Sequence, residues 1–253
     1  MRRRAIAALL ALLLAAWAVP AGAALRYTSM EGVPWTYPVP LDVIRDEQDV
    51  LRLVNRDHLL DSTYPDQEQA MYALEDVGLR KATRGETLLR TVAAQALREL
   101  FAGAEEAGYK LYVDSAYRSY RTQEVMHYNR TQQRGYDSGS IQLAGASEHQ
   151  TGLAADVVNW TYRDSLVEAF GQTEEAVWMR ENCARYGFIL RYPKEAEDVT
   201  GVPYEPWHLR YVGVEAATYI MENGLTLEAF TAEWQAALAE YEAALAAYEA
   251  QGE

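Results

Sequence analysis

The chain has four histidines, His58, His127, His149 and His208. Two of them stand where chemistry could follow. His149 lies seven residues before Asp156, with Gly152 between them, in Ser147-Glu148-His149-Gln150-Thr151-Gly152-Leu153-Ala154-Ala155-Asp156. That stretch runs straight into the apolar Val157-Val158. An imidazole nitrogen and a carboxylate oxygen held beside a rigid strand are donors that zinc accepts, and a catalytic zinc takes three protein ligands and leaves a position for water. His208, closing Glu205-Pro206-Trp207-His208, supplies a third donor. Such a centre also needs a free carboxylate to take the proton from a zinc-activated water and pass it to a leaving amine. Glu205 is the candidate. Taken singly, a His-x6-Asp pair or a Glu-Pro-Trp-His run is more often a cap or a surface arrangement. Their coexistence beside strand-like segments points to a metal site, and the residues alone leave both readings open.

One geometric condition follows. On a single ideal strand Glu205 and His208 would face opposite sides, because the side-chain period is two. Pro206 argues against a regular central strand. The sequence therefore predicts a bend or a strand start at Glu205–Trp207 that lets both side chains reach one point.

The elements that must position these residues can be read in order. Thr83-x-x-Glu86 has the form of a capping box, and Leu88, Leu89, Val92, Ala93, Ala96, Leu97 and Leu100 recur at helical spacing. A helix beginning near Thr83 follows. Lys110–Asp114 is strand-like, and Tyr120 to about Arg134 is polar and rich in helix formers. Residues 135–145, with three glycines, form a loop that delivers the chain to Ser147. Leu153–Asn159 is a strand. Thr173–Tyr186 is a helix that Gly187 ends. Phe188–Tyr192 is a strand stopped by Pro193, an acidic loop covers 194–202, His208–Val212 is a strand, and Val214–Asn223 is a helix. Irregular crossovers, with the last two strands joined by a loop, favour an α+β domain with a mainly antiparallel sheet and flanking helices over a doubly wound fold.

The two ends differ from this middle. Met1-Arg2-Arg3-Arg4, an apolar run from Ala5 to Val19, Pro20, and the small-x-small Ala21-Gly22-Ala23 have the anatomy of a secretory signal peptide over residues 1–24. The run is short for a membrane span, which needs roughly 20 residues, so an uncleaved anchor is the alternative. Either way the remainder lies outside the cytoplasm. Residues 25–50, with their Pro, Tyr and Trp, read as an extended lead-in. Thr226 to Glu253 is rich in Ala and Glu, with Trp234, Leu238, Tyr241, Leu245 and Tyr248 spaced as a two-heptad seam. This is an amphipathic helix laid on its own domain or, alternatively, a surface for self-association.

Composition closes off some functions. At 49% hydrophobic residues the chain can bury a core. Its one cysteine, Cys183, excludes an intramolecular disulfide framework and is expected to be buried and inert. Removing residues 1–24 takes away three of the 23 Lys and Arg and none of the 37 acids, so the net charge moves from −14 to −17. So acidic a protein is not built to seek nucleic acid or anionic lipid. Contact with a membrane is expected only through an uncleaved N-terminal segment.

Ser147–Asp156 matches S-x-H-x-x-G-x-A-x-D at every fixed position. Glu205–His208 matches E-x-W-H, and Ser115-Ala116-Tyr117-Arg118-Ser119, followed by Gln123, matches an S-x-Y-R-S element upstream. With these motifs in this order the chain resembles the zinc D-alanyl-D-alanine carboxypeptidases of the VanY type, which share a fold with the VanX dipeptidases and the Hedgehog signalling domain. The resemblance covers about residues 51–225, including Arg-Tyr-Gly-Phe-Ile-Leu-Arg-Tyr-Pro at 185–193, and leaves out the helical tail. It implies a zinc peptidase domain with His149, Asp156 and His208 as ligands of Zn2+ and Glu205 as general base. It implies that Arg118 stabilises the oxyanion and that Ser147 binds the substrate backbone or carboxylate. Ser115, Tyr117 and Gln123 enter as further motif members on the substrate side. The expected substrate is the D-Ala-D-Ala end of a peptidoglycan stem peptide. The alternatives on the same site are a D-Ala-D-Ala dipeptidase, an L,D-carboxypeptidase or a peptidoglycan endopeptidase. Export argues against a dipeptidase acting on cytoplasmic D-Ala-D-Ala. A zinc-containing binding module without turnover is a different class, and it would need neither Glu205 nor Arg118.

Overall fold

The structure is a computed structural model. It describes residues 33–65, 71–82 other than 75 and 77, 87–137 and 141–252. The expected signal segment 1–24 and the Thr83–Glu86 capping pair lie outside these residues. In chain order the elements are α1 (Leu41–Ile44), β1 (Met71–Ala73), β2 (Leu88–Arg90), α2 (Thr91–Glu106), β3 (Tyr112–Ser115), α3 (Tyr120–Arg134), β4 (Ala154–Val158), α4 (Glu174–Asn182), β5 (Phe188–Leu190), α5 (Glu197–Thr200), β6 (His208–Tyr211), α6 (Val214–Glu222) and α7 (Leu227–Gly252).

Four strands form one sheet in the order β3-β4-β6-β5, with antiparallel pairing throughout. The α+β class is therefore as expected. The strand period of two divides the sheet into two faces. Ala155, Val157 and Leu209 enter an apolar cluster with Ala93, Leu97, Leu100 and Phe101 of α2 and Met179 of α4. Asp156, His208 and Arg210 alternate with them and so occupy the opposite face. The chemistry thus sits on one side of a sheet whose other side is pinned by helices.

Local signals explain several boundaries. Ser119 caps α3 by accepting a hydrogen bond from the N–H of Thr122, and Gly135 ends that helix at φ 76°. The expected helix at 173–186 is α4 followed by a 3-10 turn over Cys183–Tyr186, closed by Gly187 at φ 78°.

One boundary differs. Leu88 and Leu89, read as the first turns of a helix, are strand residues, and α2 begins only at Thr91. The reason is tertiary: Leu88–Arg90 pairs in antiparallel fashion with Met71–Ala73, a partner that helical periodicity cannot reveal. The acidic stretch at 194–202, read as a loop, contains a 3-10 turn and α5.

The lead-in is less extended than its composition suggests. Val33, Trp35, Val39, Leu41, Ile44 and Leu51 are buried in a second cluster with Ala216, Ala217 and Ile220 of α6 and Leu227, Phe230 and Tyr241 of α7. Trp35 stands edge-on to Tyr241 at 5.5 Å. Of the seam residues, Trp234, Leu238, Tyr241 and Leu245 belong to this cluster, whereas Tyr248 is exposed. The stripe on α7 is thus used within the chain. Among the described residues no helix is long and apolar enough to cross a membrane. Cys183 is buried, and burial pushes its thiol up to about 12, which leaves it unreactive at neutral pH.

Candidate metal centre

Strand register assembles the site. Ser115 on β3 is opposite Asp156 on β4, and Asp156 is opposite His208 on β6. A shift in the β3–β4 pairing between Val113 and Ser115 produces the first of these alignments. His149 comes from the 3-10 turn Glu148–Thr151 that leads into β4. Gly152 ends this turn at φ 69°, a left-handed conformation suited to glycine. A Cβ there would also lie 2.6 Å from the Cε of Met71 and 2.8 Å from its Sδ. The Gly of the motif is therefore favoured by the backbone, and any side chain there would also have to displace the end of Met71.

Among the described residues, His149, Asp156 and His208 each offer a donor atom, and the three atoms lie within 4.8 Å of one another. All three residues are buried. The Nδ1 of His149 lies 2.7 Å from the carbonyl of Ala116, so that nitrogen carries the proton and Nε2 keeps its lone pair, 3.3 Å from Oδ2 of Asp156. His208 is turned the other way. Its Nε2 lies 3.2 Å from Oε2 of Glu148, which leaves Nδ1 facing Oδ1 of Asp156 at 3.1 Å. Two imidazoles and one carboxylate, each imidazole tied by its second nitrogen to a carbonyl or carboxylate, form a donor set that fits zinc.

The electrostatics agree. Burial would raise Asp156, but the imidazoles of His149 and His208 packed against it hold it well below the usual carboxylate range. Burial lowers His149 against the pull of Asp156, keeping it neutral. Burial also opposes a charge on His208, yet its hydrogen bonds to Asp156 and Glu148 push it up to about 9. In the metal-free protein a proton on His208 stands where a cation belongs, and metal binding would release it.

Glu205 is placed as the sequence requires. The N–H of His208 donates to the carbonyl of Glu205 at 3.1 Å, so Glu205–His208 is a tight turn, with Pro206 at the position that proline favours. The strand begins at His208, and Oε2 of Glu205 lies 3.7 Å from His208 Nδ1. The expected bend is present, and the side chains of Glu205 and His208 face one side. Burial, with the negative charges of Asp156 and Glu148 adding to it against His208 and Arg118, raises Glu205 to about 7.

Arg118 is fixed at both ends. Its backbone N–H donates to the carbonyl of His149 at 3.1 Å. Its guanidinium donates to Oε1 of Gln123 at 2.9 Å and to Oγ of Ser115 at 3.0 Å. Burial lowers its pKa, opposed by Asp156 and Glu205. Arg118, Ser147, His149, Asp156, Glu205 and His208 all line one cleft of about 820 Å³. The exposed apolar Leu166 and Val167 contribute to its wall. Gln123 also lines the cleft, whereas Ser115 and Tyr117 do not. Ser115 supports Arg118, and the backbone N–H of Tyr117 joins Leu88 of the small sheet.

Sequence reasoning missed a set of buried charges behind His208. Glu148, inside the motif, has no exposed side-chain surface, and Arg191 and Arg210 both donate to its Oε1, at 2.7 and 2.8 Å. Arg191 also makes a bidentate pair with Glu228 of α7, at 2.9 and 2.6 Å. The signal available was weak: an arginine inside the apolar runs of β6 and just after β5.

A cleft floored by two histidines and an aspartate, with an unliganded carboxylate and a fixed guanidinium beside them, is the arrangement of a metal-dependent hydrolase. Comparison with known proteins narrows this class. The family model described as VanY, D-alanyl-D-alanine carboxypeptidase, matches residues 86–214. The chain is 40% identical over 192 residues to a putative carboxypeptidase, YodJ, of Bacillus subtilis, covering 75% of this chain and 70% of that one. Its structure resembles the LdcB LD-carboxypeptidase, with a TM-score of 0.67 at 35% identity, covering 81% of this chain and 92% of that one. It also resembles a mutant of the vancomycin-resistance D,D-pentapeptidase VanY in complex with Zn(II), with a TM-score of 0.58 at 30% identity, covering 72% and 98%. The chain belongs to the VanY family of D-alanyl-D-alanine carboxypeptidases.

Proposed function

We propose that this protein is an exported zinc carboxypeptidase that removes the terminal D-alanine from peptidoglycan stem peptides. The observation that carries the reading is the placement of Glu205: a carboxylate raised to about 7, beside the His149–Asp156–His208 set but not part of it. Nε2 of His149, a carboxylate oxygen of Asp156 and Nδ1 of His208 would hold the ion. When bound, Zn2+ supplies a Lewis acid that polarises a carbonyl and makes water acidic enough to attack near neutral pH.

The chain's own residues do the rest. Glu205 takes the proton from the attacking water and returns it to the leaving amine. Arg118, held by Ser115 and Gln123, presents a fixed positive charge where negative charge develops on the carbonyl oxygen. Ser147, buried in the cleft wall, binds the substrate's backbone or terminal carboxylate. The apolar wall at Leu166 and Val167 receives the stem peptide. Residues 51–225 form the catalytic unit, braced by the lead-in and α7. The substrate lies outside the cytoplasm, which matches the signal-like segment at 1–24.

The likeness to LdcB supports a second reading, an L,D-carboxypeptidase acting on tetrapeptides. Release of D-alanine from a stem pentapeptide and from a tetrapeptide separates the two. Release from the pentapeptide, abolished by chelator and restored by Zn2+, is the expected result. Release from the tetrapeptide alone assigns the L,D activity. Release from neither, with zinc bound, rejects a carboxypeptidase.

A further inference from the structure

The buried charges behind His208 are not explained by ligation or by the reaction. We propose that Glu148 is a positioning residue for His208, and that Arg191 and Glu228 extend this support to the first turn of the C-terminal helix. The proposal rests on the zinc reading above.

Three observations carry it. First, Glu148 divides its carboxylate. Oε1 receives Arg191 and Arg210, and Oε2 alone faces Nε2 of His208, at 3.2 Å. That contact fixes which ring nitrogen carries the proton and so which one is free to ligate. Second, the two guanidiniums cannot turn away. Arg210 also donates to the carbonyls of Val50 and Arg52, at 2.9 and 2.8 Å, and to that of Tyr211 at 3.1 Å. Arg191 is held by both oxygens of Glu228. Third, charge balances within the set: Arg191 and Arg210 offset Glu148 and Glu228. Among the described residues the two arginines are the largest fully buried side chains.

Buried ion pairs of this kind stabilise a fold little better than apolar side chains would. Their geometry, however, leaves His208 one orientation. The lead-in and α7, which lie outside the motifs, thereby become part of the frame that holds the ligand. Loss of such a supporting residue weakens metal binding by about 10- to 100-fold.

The test measures affinity for Zn2+ by chelator competition, and the visible spectrum of the Co2+-loaded protein, on the full chain. Glu148→Gln should remain folded, bind Zn2+ about 10- to 100-fold more weakly and change the Co2+ spectrum. Glu228→Gln should shift both readouts in the same direction by less. Glu233→Gln is the control. It lies on the same helix, bonds to Tyr37 and Tyr219 and does not touch the charge set, and it should change neither readout. Wild-type affinity and spectrum in a folded Glu148→Gln would overturn the proposal. So would equal losses in Glu228→Gln and Glu233→Gln, since that pattern reports helix docking alone. If Glu148→Gln does not fold, the contrast between Glu228→Gln and Glu233→Gln decides. Failure of the wild type to bind zinc would remove the underlying reading instead, and with it this one.

Discussion

Replacing Glu205 by glutamine separates zinc binding from proton transfer. The side chain is 28% exposed, and its Oε2 stands 3.7 Å from His208 Nδ1, beyond hydrogen-bonding distance. Glutamine keeps the shape and removes only the ability to take a proton. A positioned general base contributes about 10²- to 10⁴-fold, so kcat should fall by that factor, or about 3–5 kcal/mol in the barrier. Zn2+ should still bind, because the proposed ligands His149, Asp156 and His208 are intact, with affinity lowered only by the loss of one nearby negative charge. Burial raises Glu205 to about 7, and a cation beside it would draw this down. The acid limb of kcat/KM should therefore lie at or below about 7 in the wild type and disappear in Glu205→Gln. The zinc-free protein gives an independent check of the sign. A carboxyl whose folded value is raised from 4.5 to about 7 binds its proton more tightly folded than unfolded. Its contribution to stability is present below 4.5 and is lost as pH rises toward 7, and the variant should lack this slope. The assays are D-alanine release across pH, zinc titration and thermal unfolding without metal. A zinc-loaded Glu205→Gln that keeps more than about a tenth of kcat, against the 10²-fold minimum for a general base, would refute the assignment.

Other sites give simpler outcomes. Arg118→Ala should reduce kcat by about 10²- to 10³-fold, as for loss of an oxyanion donor; a loss in KM alone would mean that it only binds substrate. Asp156→Ala should weaken Zn2+ by more than the roughly 100-fold expected for a supporting residue, and excess Zn2+ should not restore wild-type kcat. Gly152→Ala should lower stability by about 1–3 kcal/mol, read by thermal unfolding, because a side chain there meets Met71 in a left-handed backbone. Trp35→Ala should cost about 3–5 kcal/mol by leaving a cavity under α7; an unchanged melting temperature would show that the lead-in is not part of the core.

The sequence by itself determined the candidate donors, as residue types in ordered motifs, and the outline of the scaffold. His149, Asp156, His208 and Glu205 were legible because zinc chemistry restricts residue types and because the motifs hold them close to strands. Pro206 announced the turn that brings Glu205 round to His208. Tyr120–Arg134 was legible as a helix because a polar run rich in helix formers is a local signal, and the structure adds Ser119 as its cap. Tertiary structure decided what depends on partners distant in the chain. Leu88 and Leu89 fit a helical stripe, yet pairing with Met71–Ala73 made them strand. The heptad-like seam of α7 left two uses open, and only the fold showed that Trp234, Leu238, Tyr241 and Leu245 pack with the lead-in. The register that sets Asp156 opposite His208 is a property of β4 meeting β6. Glu148, Arg191, Arg210 and Glu228 carry no local pattern, because a buried charge is tolerated only where opposite charges converge on it. That convergence joins the turn before β4, the ends of β5 and β6 and the start of α7, and it exists only once the chain has folded.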